Sequence, residues 1–484
     1  MSDESLALAR AACAHFTASP TEFHNVANCV ALLGPDFVKL DESEVWESKL
    51  KPGGKYYYTR NTSTLVAFAV GGAYSELPAS PGGLKIIGGH TDSPNLRIKP
   101  RSSRATGAGR ITQLNVETYG GGLWHTWFDR DLSVAGRVIL EEEGGTYRQV
   151  LVDLKKPICR IPSLCIHLQT GEERAAFKVN KEDHLQPIFQ QAVSDTLEKP
   201  AQKKTKTGEA KTAWAEGHDP LLLSLIAAEL DVSESQISDF ELALYDTQPA
   251  CLGGPSEEFL YSARLDNQAT CFAAAEALRR YASSPSLASD TYVSLAVLFD
   301  HEEVGSASQC GAGSPIMSEA VKRITASLTG CSAALPALEA EQIALRKSFC
   351  LSVDMAHAVH PNYAHKHDKN HAPALNAGVV VKSNANQRYT TNAVTGFLVR
   401  ELARRAGVPL QEFVVRNDCP CGSTIGPIIS GNTGLRVVDL GMPQLSMHSC
   451  REMMGSKDVK AAVDLFGAFY EGFGDVDAKC VRCT

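Results

Sequence analysis

Apolar and polar positions follow two periods along this chain. Leu6, Ala9, Cys13 and Phe16 share one face at helical spacing, and Pro20 stops that helix. A second helix is predicted from Glu22 to Leu33, ended by Gly34. The unbroken apolar runs Thr64–Val70 and Leu84–Ile87 read as buried strands. Tyr292–Phe299, Phe349–Val353 and Leu435–Leu440 read the same way. Helices are predicted between them, one over the Ala-rich stretch Asn267–Ala282 and one marked by Val394, Phe397, Leu398 and Leu402. A last helix carries Val459, Val463, Phe466 and Tyr470. Strands alternating with helices predict an α/β fold, with a mostly parallel sheet covered by helices on both faces.

The middle of the chain has a different rhythm. Thr112–Glu117, Leu132–Leu140 and Tyr147–Leu154 alternate with period two, and Gly144-Gly145 supplies a turn. Leu221–Leu230 then reads as a helix. These features predict a separate β-rich domain over residues 101–251, inserted into an α/β domain of residues 1–100 and 252–484. Residues 197–219 hold Lys199, Lys203, Lys204, Lys206 and Lys211 with few apolar residues. A flexible solvated loop is the expected state there, in preference to a basic docking patch.

Composition narrows the classes. The 484 residues include 47 Lys+Arg and 55 Asp+Glu, for a net charge of −8. With 44% hydrophobic and 21% charged residues, the chain is neither disordered nor fibrous. The acidic balance argues against nucleic-acid binding. Apolar runs are far shorter than the ~20 residues that cross a bilayer, so no membrane contact is expected. Asp3 and Glu4 stand where a secretory signal would be basic. The 14 cysteines are irregularly spaced and read as reduced thiols. Cys419-Pro420-Cys421 is too tight for an ordinary chelate, and Cys480 and Cys483 form a CxxC without a second pair.

Chemistry gathers where strands end. Leu84–Ile87 runs through Gly88-Gly89 into His90-Thr91-Asp92, and Tyr292–Phe299 runs into Asp300-His301-Glu302-Glu303. Phe349–Val353 runs into Asp354. Sites in open α/β sheets form beyond the carboxyl ends of strands, so these residues are expected on one rim. Asp266 opens the helix Asn267–Ala282, where a capping carboxylate is at home. His448 lies in a loop after Leu435–Leu440, within reach of the same rim. Histidines and carboxylates without thiols form a ligand set for catalytic zinc, or for manganese or cobalt. Two His and three carboxylates suffice for two ions if one carboxylate bridges. One of the adjacent pair Glu302 and Glu303 is then left to act on water. Competing motifs are absent: HExxH lacks its second His, and there is no GxSxG or Walker loop. His357, His360, His365, His367 and His371 are expected to support loops, not to form a second metal site.

Many short motifs together resemble the aspartyl aminopeptidases, a family of two-metal zinc peptidases. They include SPTEFH at Ser19–His24, LKPGGK at Leu50–Lys55, YTRN at Tyr58–Asn61 and GHTDSP at Gly89–Pro94. QLNVE at Gln113–Glu117, YGGG at Tyr119–Gly122, WFDRDL at Trp127–Leu132 and RIP at Arg160–Pro162 follow. ARLDN at Ala263–Asn267, DHEEVG at Asp300–Gly305 and DMAHAVHP at Asp354–Pro361 continue the order. RND at Arg416–Asp418, CGSTIGP at Cys421–Pro427 and Met447-His448 complete it. The resemblance implies removal of N-terminal Asp or Glu from peptides, with two zinc ions per subunit. It implies that His90 and Asp354 hold one ion, Glu303 and His448 the other, and that Asp266 bridges. It gives Glu302 the role of general base and acid, with Asp92 orienting His90 or its metal. It places Lys382 and Tyr389 in the acidic side-chain pocket, with Arg388 a weaker partner, and His167 at a neighbouring subunit's active site. It also implies a catalytic domain with an inserted dimerisation domain, built from dimers into a homododecamer. No propeptide precedes Ser5, so a cytoplasmic location is expected, and the Lys-rich loop departs from the family pattern. Two rival readings share the metal ligands: an aminopeptidase for neutral residues, and a non-catalytic scaffold.

Overall fold

The computed structural model describes residues 2–74, 81–104, 111–191, 214–329 and 337–480. They divide into two compact units. The first comprises Met1–Ser93, Ala250–Met447 and Glu452–Thr484, and the second Pro94–Pro249 with His448–Arg451.

The first unit is built on a nine-stranded sheet. Its strands lie in the order Val38–Lys39, Lys55–Arg60, Thr64–Val70, Val293–Phe299, Leu84–His90, Phe349–Val353, Arg436–Gly441, Val379–Ser383 and Leu410–Val414. The four strands from Val293–Phe299 to Arg436–Gly441 are mutually parallel. Antiparallel pairs flank them on both sides, so the sheet is mixed. One cause is visible: three residues join Lys55–Arg60 to Thr64–Val70, and so short a link permits only an antiparallel hairpin.

Burial on both faces explains the unbroken apolar runs. Along Thr64–Val70, Leu65, Ala67 and Ala69 enter a core with Phe16, Leu278 and Phe466. Val66, Phe68 and Val70 enter the opposite core with Ile316, Val321 and Ile429. Neither face meets water, so period two carries no polar signal. The strand predicted over Leu84–Ile87 continues through Gly88 and Gly89 to His90, paired with Phe299. A β-carbon on Gly89 would stand 2.8 Å from Thr270 Cγ2, so a side chain would push the helix Leu265–Ala282 away from this strand. The helix Ala393–Ala406 departs from the expected face: Phe397 is 49% exposed, and Leu398, Val399 and Leu402 form the buried stripe. A five-stranded sheet, Cys251–Gly253, Phe259–Ser262, Glu452–Gly455, Pro443–Leu445 and Ala356–His357, was not anticipated from these short segments.

The second unit holds a six-stranded antiparallel sheet. Its order is Tyr147–Asp153, Leu132–Glu141, Ile237–Asp246, Asn95–Ser103, Ile111–Tyr119 and Ile188–Gln191. Gly144 and Gly145 both take positive φ in the turn that opens its first hairpin. Leu96, Val134, Leu242 and Leu244 pack with Leu222 and Ile226 of the helix Pro220–Leu230. That helix starts on an Asp219 cap with Pro220 at its first position. Lys199, Lys203, Lys204, Lys206 and Lys211 lie outside the described residues. The end of the predicted loop is ordered instead: Ala215–Gly217 forms a short 3₁₀ turn, and Trp214 packs on His218.

Candidate metal centre

Three neighbouring parallel strands of the first unit deliver His90, the Asp300–Glu303 segment and Asp354 to one edge. His90 is 1% exposed. Its Nδ1 donates to the Asp92 carbonyl at 3.1 Å, which directs Nε2 to the opposite side of the ring. There Nε2 lies 3.3 Å from Asp266 Oδ1, 3.4 Å from Asp354 Oδ1 and 4.0 Å from Glu302 Oε2. One ring nitrogen facing three carboxylates is a poor hydrogen-bonding arrangement and a good cation cradle.

Asp266 is not the helix cap that its position suggests. The cap residue is Arg264, with no side-chain cap bond, and Asp266 and Asn267 depart from helical backbone. That departure turns the Asp266 carboxylate toward His90. Its amide donates to Glu452 Oε2 at 3.1 Å, and Asn267 Nδ2 donates to the Val353 carbonyl at 2.8 Å. The second bond ties the Asp266 segment to the strand end that carries Asp354. Gly441 shapes this corner as well, because a β-carbon there would lie 1.7 Å from the Asp354 carbonyl oxygen.

Glu302 and Glu303 lie in a 3₁₀ turn, Glu302–Val304, entered through His301 at a left-handed φ of 62°. The fully buried Asp92 carboxylate organises that turn. Its Oδ1 accepts from Glu302 N and its Oδ2 from Glu303 N, each at 3.1 Å. Asp92 Oδ1 also lies 3.5 Å from His90 Nδ1. Asp92 thus contacts both the histidine strand and the Glu-Glu turn.

Ligand atoms of His90, Asp266 and Asp354 all lie within 4.8 Å of one another, as do those of His90, Glu302 and Glu303. This set fits a divalent cation. Packing buried carboxylates this closely is costly unless positive charge offsets it. The donors are imidazole and carboxylate without thiolate, the set expected for catalytic zinc, manganese or cobalt. The crowding of these side chains shifts their proton affinities. Burial disfavours imidazolium at His90, yet Glu302, Asp266, Asp354 and Asp92 outweigh it and raise its pKa well above the ordinary value. Burial raises the Glu302 pKa well above the carboxylate range; His90 pulls it down, while Asp354, Glu303 and Asp92 push it further up.

Lys382 is 3% exposed. Its Nζ donates to the Met355 carbonyl at 2.6 Å, sits 3.9 Å from Asp354 Oδ2 and lies over the Tyr389 ring at 5.4 Å. Burial holds the buried Tyr389 phenol protonated, far above its usual pKa, and Cys421 adds to the effect. Arg388 turns elsewhere, donating to the carbonyls of Cys421 and Gly422. Tyr389 also lines a cavity of about 290 Å³ with His357, His367, Arg416, Cys421 and Met447.

The second unit holds the other two expected site residues. His448 Nδ1 is 2.7 Å from the Gly121 carbonyl, which selects the tautomer with hydrogen on Nδ1 and the lone pair on Nε2. His167 is exposed in a 3₁₀ turn beside exposed Ile166 and Leu168. Among the described residues, none of His357, His360, His365, His367 and His371 joins a group able to hold a metal. Cys419 and Cys421 are half-buried free thiols; Cys480 is too, and Cys483 lies outside the described residues. Glu452 and Asn267, which hold the Asp266 segment, were missed by sequence reasoning. Asn267 had a signal, since it follows Asp266 inside a motif; Glu452 had none.

The profile of a family described as aminopeptidase I zinc metalloprotease (M18) matches residues 15–470. An aspartyl aminopeptidase of Aspergillus oryzae is 46% identical over 480 residues, covering 95% of this chain and 94% of its own. A probable aspartyl aminopeptidase of Ricinus communis is 45% identical over 478 residues, covering 96% and 94%. Among solved structures, the complex of Ape4 and Nbr1 matches with a TM-score of 0.90 at 42% identity, covering 99% of this chain and 88% of that one. The mApe1 dodecamer of S. cerevesiae matches with a TM-score of 0.81 at 32% identity, covering 97% and 98%. The chain therefore belongs to the M18 family of aminopeptidase I zinc metalloproteases.

Proposed function

We propose that this metal-dependent aminopeptidase removes N-terminal Asp and Glu from peptides. The observation that carries the acid preference is Lys382, an ammonium buried between the Asp354 carboxylate and the Tyr389 ring. A buried ammonium has three hydrogens to place, and a substrate carboxylate beside Tyr389 offers a charge-assisted partner. Relatives over most of the chain's length are named aspartyl aminopeptidases, which supports the same substrate class.

His90 and Asp354 would hold one zinc ion, Glu303 and His448 a second, and Asp266 would bridge them; manganese or cobalt would suit the same donors. When bound, the ions supply Lewis acidity to the scissile carbonyl and to the attacking water. Glu302 takes a proton from that water and returns it to the departing amine. Asp92 fixes the turn through the Glu302 and Glu303 amides, so that the base and the adjacent ligand keep their spacing. The carboxylate-rich edge suits the free α-amine of a peptide, which limits cleavage to the N-terminus.

Matched peptides beginning with Asp, Glu, Ala, Leu and Lys test the specificity. Hydrolysis is expected for Asp and Glu at a kcat/KM at least about tenfold above the others, and a chelator abolishes it. In Lys382→Met, which keeps the length of the buried stem, that preference falls by roughly 10–100-fold. A wild type that prefers Ala or Leu would keep the metal chemistry and remove Lys382 from its assignment.

Assembly and location belong to the same proposal. The β-rich second unit would serve as the dimerisation domain of a homododecamer, with His167 reaching a neighbouring subunit's site. Exposed Ile166 and Leu168 beside His167 suit burial by another copy. The solution mass is expected near twelve times 52.0 kDa, and His167→Ala lowers turnover without changing that mass. A monomeric active enzyme would overturn this part. Among the described residues no helix is long and apolar enough to cross a membrane, and we propose a cytoplasmic location.

A further inference from the structure

Asp439 is wholly buried within the strand Arg436–Gly441. It nonetheless receives a full set of hydrogen bonds. Its Oδ1 accepts from Ser352 Oγ at 2.7 Å and Thr424 Oγ1 at 2.6 Å. Its Oδ2 accepts from the Thr390 amide and the Thr390 hydroxyl, both at 2.6 Å. Its own amide donates to Thr391 Oγ1 at 3.0 Å. Four donors converge on the two carboxylate oxygens, more than the single oxygen of an amide of this size can accept. Gly426 leaves room for the group, since a β-carbon there would stand 2.5 Å from both Asp439 oxygens.

The three segments so joined each end at the site. Ser352 lies in the strand Phe349–Val353, whose end leads directly into the candidate ligand Asp354. Thr390 follows Tyr389 directly. Thr424 follows Cys421, which lines the cavity beside Tyr389. We infer that Asp439 is a positioning residue for specificity: it sets the distance between the Tyr389 wall and the Asp354 strand end, and so the fit of the substrate's acidic side chain. The inference rests on the assignment of Lys382 and Tyr389 to that pocket. Its physical basis is that charge-assisted bonds in a dry core hold geometry firmly, and recognition of a carboxylate is sensitive to small displacements.

The test compares kcat and KM for an Asp-first and an Ala-first peptide in the assembled, metal-loaded enzyme. The variants are Asp439→Ala, Asp439→Asn, Thr390→Val and Thr390→Ser. Asp439→Ala is expected to raise KM for the Asp-first peptide about 10–100-fold, with kcat changed far less and metal content unaltered. Asp439→Asn has a smaller effect. Its oxygen can stay with Thr390, whose amide cannot reverse, while its NH₂ faces the hydroxyls of Ser352 and Thr424, which can rotate to accept. Thr390→Val follows Asp439→Ala, and Thr390→Ser, which restores the hydroxyl, stays near wild type. If Asp439→Ala does not fold, Asp439→Asn and Thr390→Val carry the comparison. Equal losses for both peptides, or an unchanged KM in folded Thr390→Val and Asp439→Asn, would overturn the inference. A wild type without acid preference would instead overturn the pocket assignment, and KM for its best peptide would then judge Asp439.

Discussion

Glu302→Gln is expected to lower kcat by about 10²–10⁴-fold while the enzyme keeps its metal and its fold. The substitution preserves shape and removes only the capacity to take up and return a proton. The turn that presents the side chain survives, because Asp92 holds it through the backbone amides of residues 302 and 303. KM is expected to change little, since a base acts on the transition state more than on bound substrate. Steady-state kinetics with metal analysis of the same sample decide the matter. A kcat within a few-fold of wild type would remove Glu302 as the base. Loss of metal together with activity would make it a ligand, a role its place 4.0 Å from His90 Nε2 also allows.

Asp266→Asn is expected to cost nearly all activity by a different route. The Asp266 carboxylate faces His90 Nε2 at 3.3 Å and is the proposed bridge, so its neutralisation lowers the affinity of both ions. Metal analysis should find the bound ions well below wild type. A second signature separates this from general damage. A ligand bound only by the folded state raises the melting temperature, so a chelator should lower Tm in the wild type and scarcely move it in Asp266→Asn. Without metal, the variant should be no less stable than the metal-free wild type, because one charge has left a crowded carboxylate cluster. A variant that retains its full metal content would exclude Asp266 as the bridge.

The limits of sequence reading show at particular residues. Strand Thr64–Val70 was legible end to end as an unbroken apolar run, and helix Glu22–Leu33 by its Gly34 stop. Phe397 fitted the helical stripe by type but sits on its solvent side. Leu398 and Val399 already fill the contact face, and spacing alone could not exclude the neighbour. Asp266 looked like a cap because helix starts favour carboxylates; only its non-helical backbone shows the group turned to His90. Asp439 interrupts the apolar run Leu435–Leu440 from within, a pattern present in the sequence that gave no hint of what it would join.

By itself the sequence determined the kinds of element, the central strands and the set of chemical groups, along with the family they resemble. These follow from local periodicity and residue type. The tertiary structure decided which groups meet. Asp92 grips Glu302 across 210 positions of chain, and Asn267 reaches Val353 across 86. Such contacts have no local period, because they depend on strand order and on turns such as the left-handed His301. Burial of Lys382 beside Asp354, and its energetic consequence, likewise arises only once distant strands pack and exclude water.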